Sequence, residues 1–175
     1  MSRSLAFRLG CLTLLMECCL SAGCHPGYNL NLSLDAAYGK SLGDEKVFVH
    51  VIPVNTRDRD QLANMPIDSY WQSTGTTKQK ISREQNTKIF DLSADKPTAT
   101  LSRDDPIWSV WKDLGDSELM ILSSRPVPET SSSGEMDPRR RFIPASAAAW
   151  ASHDVRIVVT AGGLRVQTRQ IISPH

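Results

Sequence analysis

Polar and apolar residues alternate from Tyr28 onward, with Tyr28, Leu30, Leu32 and Leu34 on one side and Asn29, Asn31 and Ser33 on the other. A period of two puts one face in a core and the other in water, which predicts a strand over Tyr28–Leu34. Val47–Val54 is apolar on both faces: Val47, Val49 and Val51 oppose Phe48, Ile52 and Val54, with His50 among the latter. Such a run predicts a strand in a sandwich interior. Pro53 has no N–H to give to a ladder, so the strand is expected to end or to lie at an edge there. Lys88–Leu92 and Thr98–Leu101 are shorter strand candidates, separated by the turn formers Ser93, Asp95 and Pro97. Leu119–Leu122 reads as a buried strand. Between them Ile107, Val110, Trp111 and Leu114 recur at helical spacing and predict a helix over Asp105–Leu114. Asp105 is placed to cap it, Pro106 to open it and Gly115 to end it. Trp108 falls off that apolar stripe, which marks it as a candidate surface contact.

The remaining segments are read from their turn chemistry. Ala36–Lys46, with Gly39 and Gly43, predicts a loop. Thr56–Met65 is polar and charged and predicts an exposed stretch. Pro66 opens a helical turn over Ile67–Trp71 that brings Tyr70 and Trp71 to a core edge. Ser73–Lys80 is a polar loop. Pro126–Pro138 holds three prolines, Ser131–Ser133 and Gly134, and predicts a long mobile loop. Ser146–Ala151 suits one helical turn. Val155–Thr160 and Leu164–Ile172 form a hairpin about Gly162–Gly163, where glycine supplies positive φ. The sum is a mostly β chain of seven or eight short strands with one or two short helical insertions. That pattern fits an antiparallel β-sandwich of immunoglobulin-like plan, without the regular strand–helix alternation of a parallel α/β sheet.

Cysteine placement adds what periodicity cannot show. All 4 cysteines, Cys11, Cys18, Cys19 and Cys24, lie within the first 24 of 175 residues. Arg3 and Arg8 precede the mostly apolar run Leu9–Leu20, which is shorter than the roughly 20 residues a transmembrane helix needs. Small residues Ser21, Ala22 and Gly23 follow, then Cys24. The arrangement predicts a removed signal peptide at 1–23, a short tether at 24–27 and one folded domain over 28–175. Without Arg3, Arg8 and Glu17, the 20 basic and 19 acidic side chains become 18 and 18. A neutral domain gives no field-driven attraction to nucleic acid. With Cys24 alone remaining, the processed domain has no disulfide or thiolate metal site.

Ser21-Ala22-Gly23-Cys24 resembles the bacterial lipobox, which implies diacylglycerol on the Cys24 sulfur and cleavage before it. Two departures stand out: Ser21 where the family has Leu, and Glu17 inside the apolar run. An ordinary signal peptide cut after Ala22 or Gly23 is the rival reading. Lipoprotein sorting in bacteria with two membranes implies that His25, in place of Asp, sends the protein to the outer membrane, facing the periplasm.

A second resemblance rests on the order of parts. These are the strand Asn29–Leu34, VHVIPVN at Val49–Asn55, DSYW at Asp68–Trp71, a Trp-containing segment before ELMIL at Glu118–Leu122, a Pro-rich loop, Trp150 and a final hairpin. This order resembles the outer-membrane lipoprotein of type VI secretion systems. The resemblance implies a transthyretin-like sandwich that tethers an envelope partner, with the loop Arg125–Arg141 as a candidate contact.

Candidate chemistry is sparse. Ser131–Ser133 lacks the turn context of a nucleophile, and His153–Asp154 reads as a surface turn, so no enzyme, cofactor or metal is expected. His50 reads as a satisfied or rim-exposed strand histidine. Asp104–Asp105 reads as helix capping. Arg139, Arg140 and Arg141 form a compact cationic run suited to an acidic partner, peptidoglycan or lipid phosphate, and with Trp108 they are the candidate partner-binding residues. The first functional expectation is a non-catalytic lipoprotein of the cell envelope, held to a membrane through Cys24 and bound to another envelope protein. The alternative is a small-ligand or glycan binder with a groove lined by Trp108 or Tyr70.

Overall fold

The computed structural model describes residues 27–72, 86–126 and 136–171. Its elements run β1 (Asn29–Leu34), α1 (Ala36–Ser41), β2 (Val47–Val54), α2 (Arg59–Asn64), α3 (Ile67–Gln72), β3 (Lys88–Leu92), β4 (Thr98–Leu101), α4 (Ile107–Asp113), β5 (Glu118–Ser123) and β6 (Arg140–Pro144). A 3-10 turn (Ala147–Ala149), β7 (Asp154–Thr160) and β8 (Gly163–Val166) complete the chain. The strands form two four-stranded sheets, ordered β4-β1-β7-β8 and β3-β2-β5-β6. The chain is the expected β-sandwich. Among the described residues its ladders are antiparallel except one: β1 runs parallel to β7, from Asn29 opposite Asp154 to Leu34 opposite Val159.

The alternation in β1 works as expected, since Leu30, Leu32 and Leu34 are buried and meet Val47, Val49, Val51, Leu119 and Ile121 across the sandwich. Val155, Ile157 and Val159 extend this core. The second apolar face of β2 has a different cause from the one expected. Ile52 and Val54, with Met120 and Leu122 of β5, lie outside the two-sheet core and are covered by Leu62, Ile67 and Tyr70 of α2 and α3. Thr56–Met65 is therefore exposed only in part: Arg59–Asn64 within it folds as α2 and buries Leu62 and Ala63. Ala36–Lys46 is likewise not all loop. The Asp35 carboxylate accepts from the N–H groups of Ala37 and Tyr38 and starts α1.

Pro53 sits in an interior strand without breaking a ladder. Ser117 N–H donates to Val54 O, so Val54 faces β5 and Pro53 faces the other way. On that side β3 pairs β2 only as far as Val51, and the missing N–H points past the end of its neighbour. The Ser73–Lys80 loop lies outside the described residues, as does the 127–135 part of the Pro126–Pro138 loop. Strands Lys88–Leu92 and Thr98–Leu101 form as expected, but they join opposite sheets.

The ladders give the sandwich two distinct ends. The starts of β1, β3, β5 and β7 and the ends of β2, β4, β6 and β8 lie together. Helix α4 joins β4 to β5 at this end, where the chain also enters at Gly27. At the opposite end lie α1, the β3–β4 turn, the β5–β6 connection and the β7–β8 turn.

Candidate functional site

At the entry end, three tryptophans and a tyrosine converge. Tyr28 is fully buried; its ring lies 4.8 Å from that of Trp108 and 5.9 Å from that of Trp150, while Trp108 meets Trp111 edge-on at 5.2 Å. The polar tips are satisfied: Tyr28 Oη donates to Pro144 O at 2.9 Å, Trp108 Nε1 to Ser102 O at 2.9 Å and Trp150 Nε1 to Pro144 O at 3.2 Å. Burial pushes the Tyr28 hydroxyl pKa well up, against the opposing effect of its hydrogen-bonded contact with Trp150. Gly27 lies flat on the Trp108 indole, and an added Cβ would stand 2.4 Å from the ring.

This arrangement corrects the reading of α4. Trp108, expected at the surface, is 3% exposed, whereas Val110 and Leu114 of the expected apolar stripe are 40% and 52% exposed. The helix caps the end of the sandwich, so its buried side follows Tyr28 and Gly27. Asp105 does cap it, accepting from Ile107 N–H at 2.9 Å. Its carboxylate pKa is lowered: burial raises it, but the hydrogen bond from Lys88, the Ile107 N–H and the Lys88 charge outweigh that. Gly115 ends the helix with φ at +77°.

The arginine run, read from the sequence as a contact for an acidic partner, has two of its three members inside the molecule. Arg139 and Arg140 are 2% and 1% exposed. Arg139 donates from Nε and Nη2 to the two Asp137 oxygens at 3.1 and 2.8 Å, and from Nη1 to Asp68 Oδ1 at 2.7 Å. The guanidinium of Arg140 reaches the Ala63 and Met65 carbonyls at the close of α2. Both arginines therefore hold the α2–α3 insertion against the sheet. Burial pushes the Asp137 carboxyl up, but hydrogen bonds from the Arg139 side chain and N–H, with the charges of Arg139 and Arg140, hold it below its ordinary value. Arg141 is half-buried and donates to Arg140 O at 2.7 Å.

His50 is the satisfied strand histidine, with Nδ1 2.6 Å from Tyr70 Oη and its ring packed edge-on to Trp71 at 4.8 Å. Tyr70 is fully buried, so neither it nor Trp108 lines the open groove that a glycan binder would need. His153 and Asp154 are exposed, as a surface turn should be. Asp154 Oδ1 accepts from Asn29 Nδ2 at 2.9 Å, and His153 O accepts the Asn29 N–H at 2.8 Å. These groups tie β7 to β1. Among the described residues, no group of three His, Cys, Asp or Glu side chains could hold a metal ion. Among the same residues, no helix is long and apolar enough to cross a membrane.

The far end is built around the β5–β6 connection. Arg125 Nη2 meets Glu45 Oε2 at 2.9 Å, which joins the segment before β2 to the start of this connection. Its return is fixed by Leu164 N–H, which donates to Pro138 O at 2.8 Å. Gly163, with φ at +108°, leaves the room this needs, since a Cβ would stand 2.3 Å from Pro138 O. Met136, two residues before Pro138, is 85% exposed.

No family model and no curated protein sequence matches the chain. Solved structures do. The C-terminal domain of the type VI secretion protein TssM from EAEC has TM-score 0.50 and 11% identity, over 79% of this chain and 98% of that one. Serratia marcescens Lip, a membrane-bound component of the type VI secretion system, has TM-score 0.47 and 11% identity, over 81% and 96%. The type VI lipoprotein TssJ1 from Pseudomonas aeruginosa has TM-score 0.43 and 8% identity, over 85% and 99%. At these identities the likeness to the TssM domain is one of fold.

Proposed function

We propose that the chain is a non-catalytic lipoprotein of the cell envelope, whose sandwich binds another envelope protein as part of a type VI secretion membrane complex. In this reading residues 1–23 are removed, acyl chains on Cys24 hold the domain to the outer membrane on its periplasmic side, and 24–27 is the tether. More than one acyl chain gives durable anchoring at about 0.8 kcal/mol per buried methylene.

One observation carries the reading. The chain enters the sandwich at one end, and the β5–β6 connection leaves it at the other. A six-residue strand separates them, or about 20 Å at ~3.3 Å per residue. A domain held to a bilayer at the first end thus presents the second away from it, where loops on a rigid sandwich commonly carry recognition. The fold shared with a domain of a type VI secretion protein supports the choice of complex. Arg139 and Arg140 serve the contact by fixing the base of the connection, and Met136 and Arg141 stand at its surface.

The test is capture from crosslinked envelopes. The unaltered chain should incorporate labelled palmitate and enrich a large membrane protein. Cys24→Ser should lose the label, and Met136→Asp should keep the label but recover less partner. Absence of label in the unaltered chain defeats the anchor. Full label with no enriched envelope protein defeats the tether.

A further inference from the structure

The entry end carries an apolar surface that the core does not use. Six large hydrophobic side chains are conspicuously exposed among the described residues, and three of them, Val110, Leu114 and Ile171, are at this end. Val110 on α4 and Leu114 at its C-cap are one helical turn apart and stand side by side. Ile171 belongs to the same end because its N–H donates to Ala149 O at 2.8 Å, beside Trp150. The charges flanking this surface are of both signs: Arg103 faces Asp104 at 3.6 Å, and Lys112 and Asp113 are neighbours in sequence.

The chain outside the described residues says what lies opposite. Gly27 is held on Trp108, and only His25 and Pro26 separate it from Cys24. Three Cα-to-Cα steps reach at most roughly 11 Å. The headgroup layer of one leaflet occupies about 5–8 Å of that. A sulfur whose acyl chains lie in the bilayer therefore leaves no slack for the domain to swing clear. The end bearing Gly27 is drawn to within a few ångströms of the lipid surface.

We propose that this end rests on the bilayer, with Val110, Leu114 and Ile171 entering the boundary between headgroups and acyl chains, so that contact as well as the tether orients the sandwich. The inference rests on the acylated Cys24 of the proposed function. Apolar side chains on an exposed helix face bind such a boundary in proportion to the area they bury. The bilayer also accounts for three of the six exposed large hydrophobic side chains standing where the chain enters.

The full chain, expressed and processed in a two-membrane bacterium and reconstituted into phosphatidylcholine–phosphatidylglycerol vesicles, provides the test. With Cys24 acylated and the leader gone, an introduced cysteine is the one reactive thiol. Leu114→Cys and Ala161→Cys, the second in the β7–β8 turn at the far end, each carry an environment-sensitive fluorophore, and the vesicles contain lipid with a nitroxide near the acyl-chain top. The position-114 probe should shift to the blue and be quenched several-fold more than the position-161 probe. Adding Val110→Asp should bring the position-114 quenching down toward the position-161 level while the protein still sediments with vesicles. Equal quenching at both positions on vesicle-bound protein overturns the contact and leaves the anchor standing, as does a Val110→Asp variant that changes nothing. A position-114 probe that is shielded only when envelope proteins are added assigns the surface to a protein and overturns the proposal. Protein that neither incorporates palmitate nor sediments with vesicles removes the anchor and this contact together.

Discussion

Removing the Asp137 carboxylate should cost the domain far more than removing Asp68, although both touch the same guanidinium. Side-chain exposure is 2% for Arg139, 1% for Asp137 and 44% for Asp68. Asp137→Ala leaves a buried cation with only a half-exposed partner, and breaking a buried pair from one side costs about 3–5 kcal/mol. Asp68→Ala removes a partner that water replaces, at a cost below about 1 kcal/mol. At ~2–4 °C per kcal/mol for a domain of this size, Asp137→Ala should lower Tm by roughly 6–20 °C. Removing both charges with Asp137→Leu and Arg139→Met should recover much of the loss, because no buried ion is left unpaired and Asp68, which loses its partner, is half-exposed to water.

Urea titration followed by tryptophan fluorescence, on residues 24–175 expressed without the leader and carrying Cys24→Ser, reads these differences as midpoint shifts at constant slope. Acidity supplies an internal check. Folding depresses the Asp137 pKa, so its stabilising contribution is fully present above the unfolded value near ~3.9. That contribution is lost as pH falls through the lower folded value. The gap between the unaltered chain and Asp137→Ala should narrow below about pH 4 and hold steady above it. An Asp137→Ala cost no larger than that of Asp68→Ala would refute the assignment of Arg139 as a buried, carboxylate-dependent clamp.

Three further substitutions probe other joints. Gly163→Ala puts a methyl group on the Pro138 carbonyl at a φ of +108°, and strain plus overpacking should lower stability by about 2 kcal/mol or more in the same titration. Gly27→Ala drives a Cβ into the Trp108 ring; a cost of about 1–3 kcal/mol is expected, with a change in near-ultraviolet dichroism as the aromatic cluster shifts. Tyr70→Phe removes the hydroxyl facing His50 Nδ1 at 2.6 Å and should cost about 1 kcal/mol. Faster amide exchange confined to α3 would place that loss at the insertion.

The strands were legible from local signals: period-two alternation in β1, and the turn formers Ser93, Asp95 and Pro97 that separate β3 from β4. What failed was decided by distant partners. Three consecutive arginines look solvated until the fold delivers Asp68, from 71 residues away, and two helix-end carbonyls. DSYW and the Asp137 that shortly precedes Arg139 were visible, but nothing local says that they meet. Trp108 was misplaced because helical periodicity weighs Val110 and Leu114 like any apolar residues, while burial on a helix laid across a sandwich end goes to the side chains that can stack on Tyr28. The β1–β7 pairing joins segments more than a hundred residues apart and leaves no trace in either. The entry-end candidate was read as one tryptophan; the structure shows it to be a buried platform beside an exposed apolar pair.

The parallel pairing bears on how an N-terminally tethered domain would carry load. In the proposed function the membrane pulls on Gly27 and the partner on the opposite end, so force runs along the axis of β1. That strand lies inside its sheet, with β7 registered over all six residues and β4 over four. Load along its axis shears both ladders, straining many hydrogen bonds at once, whereas an edge strand peeled sideways would open them one at a time. The lock between Gly27 and Trp108 adds a steric stop at the point where tension enters, and the Asn29 contacts with His153 and Asp154 pass it directly to β7. From β7 the load crosses to the other sheet through β8, whose Leu164 N–H holds Pro138 at the base of the β5–β6 connection. A hydrogen-bonded route thus links Asn29 at the entry end to Pro138 at the far end, which is the mechanical requirement that the proposed tether would place on a small domain.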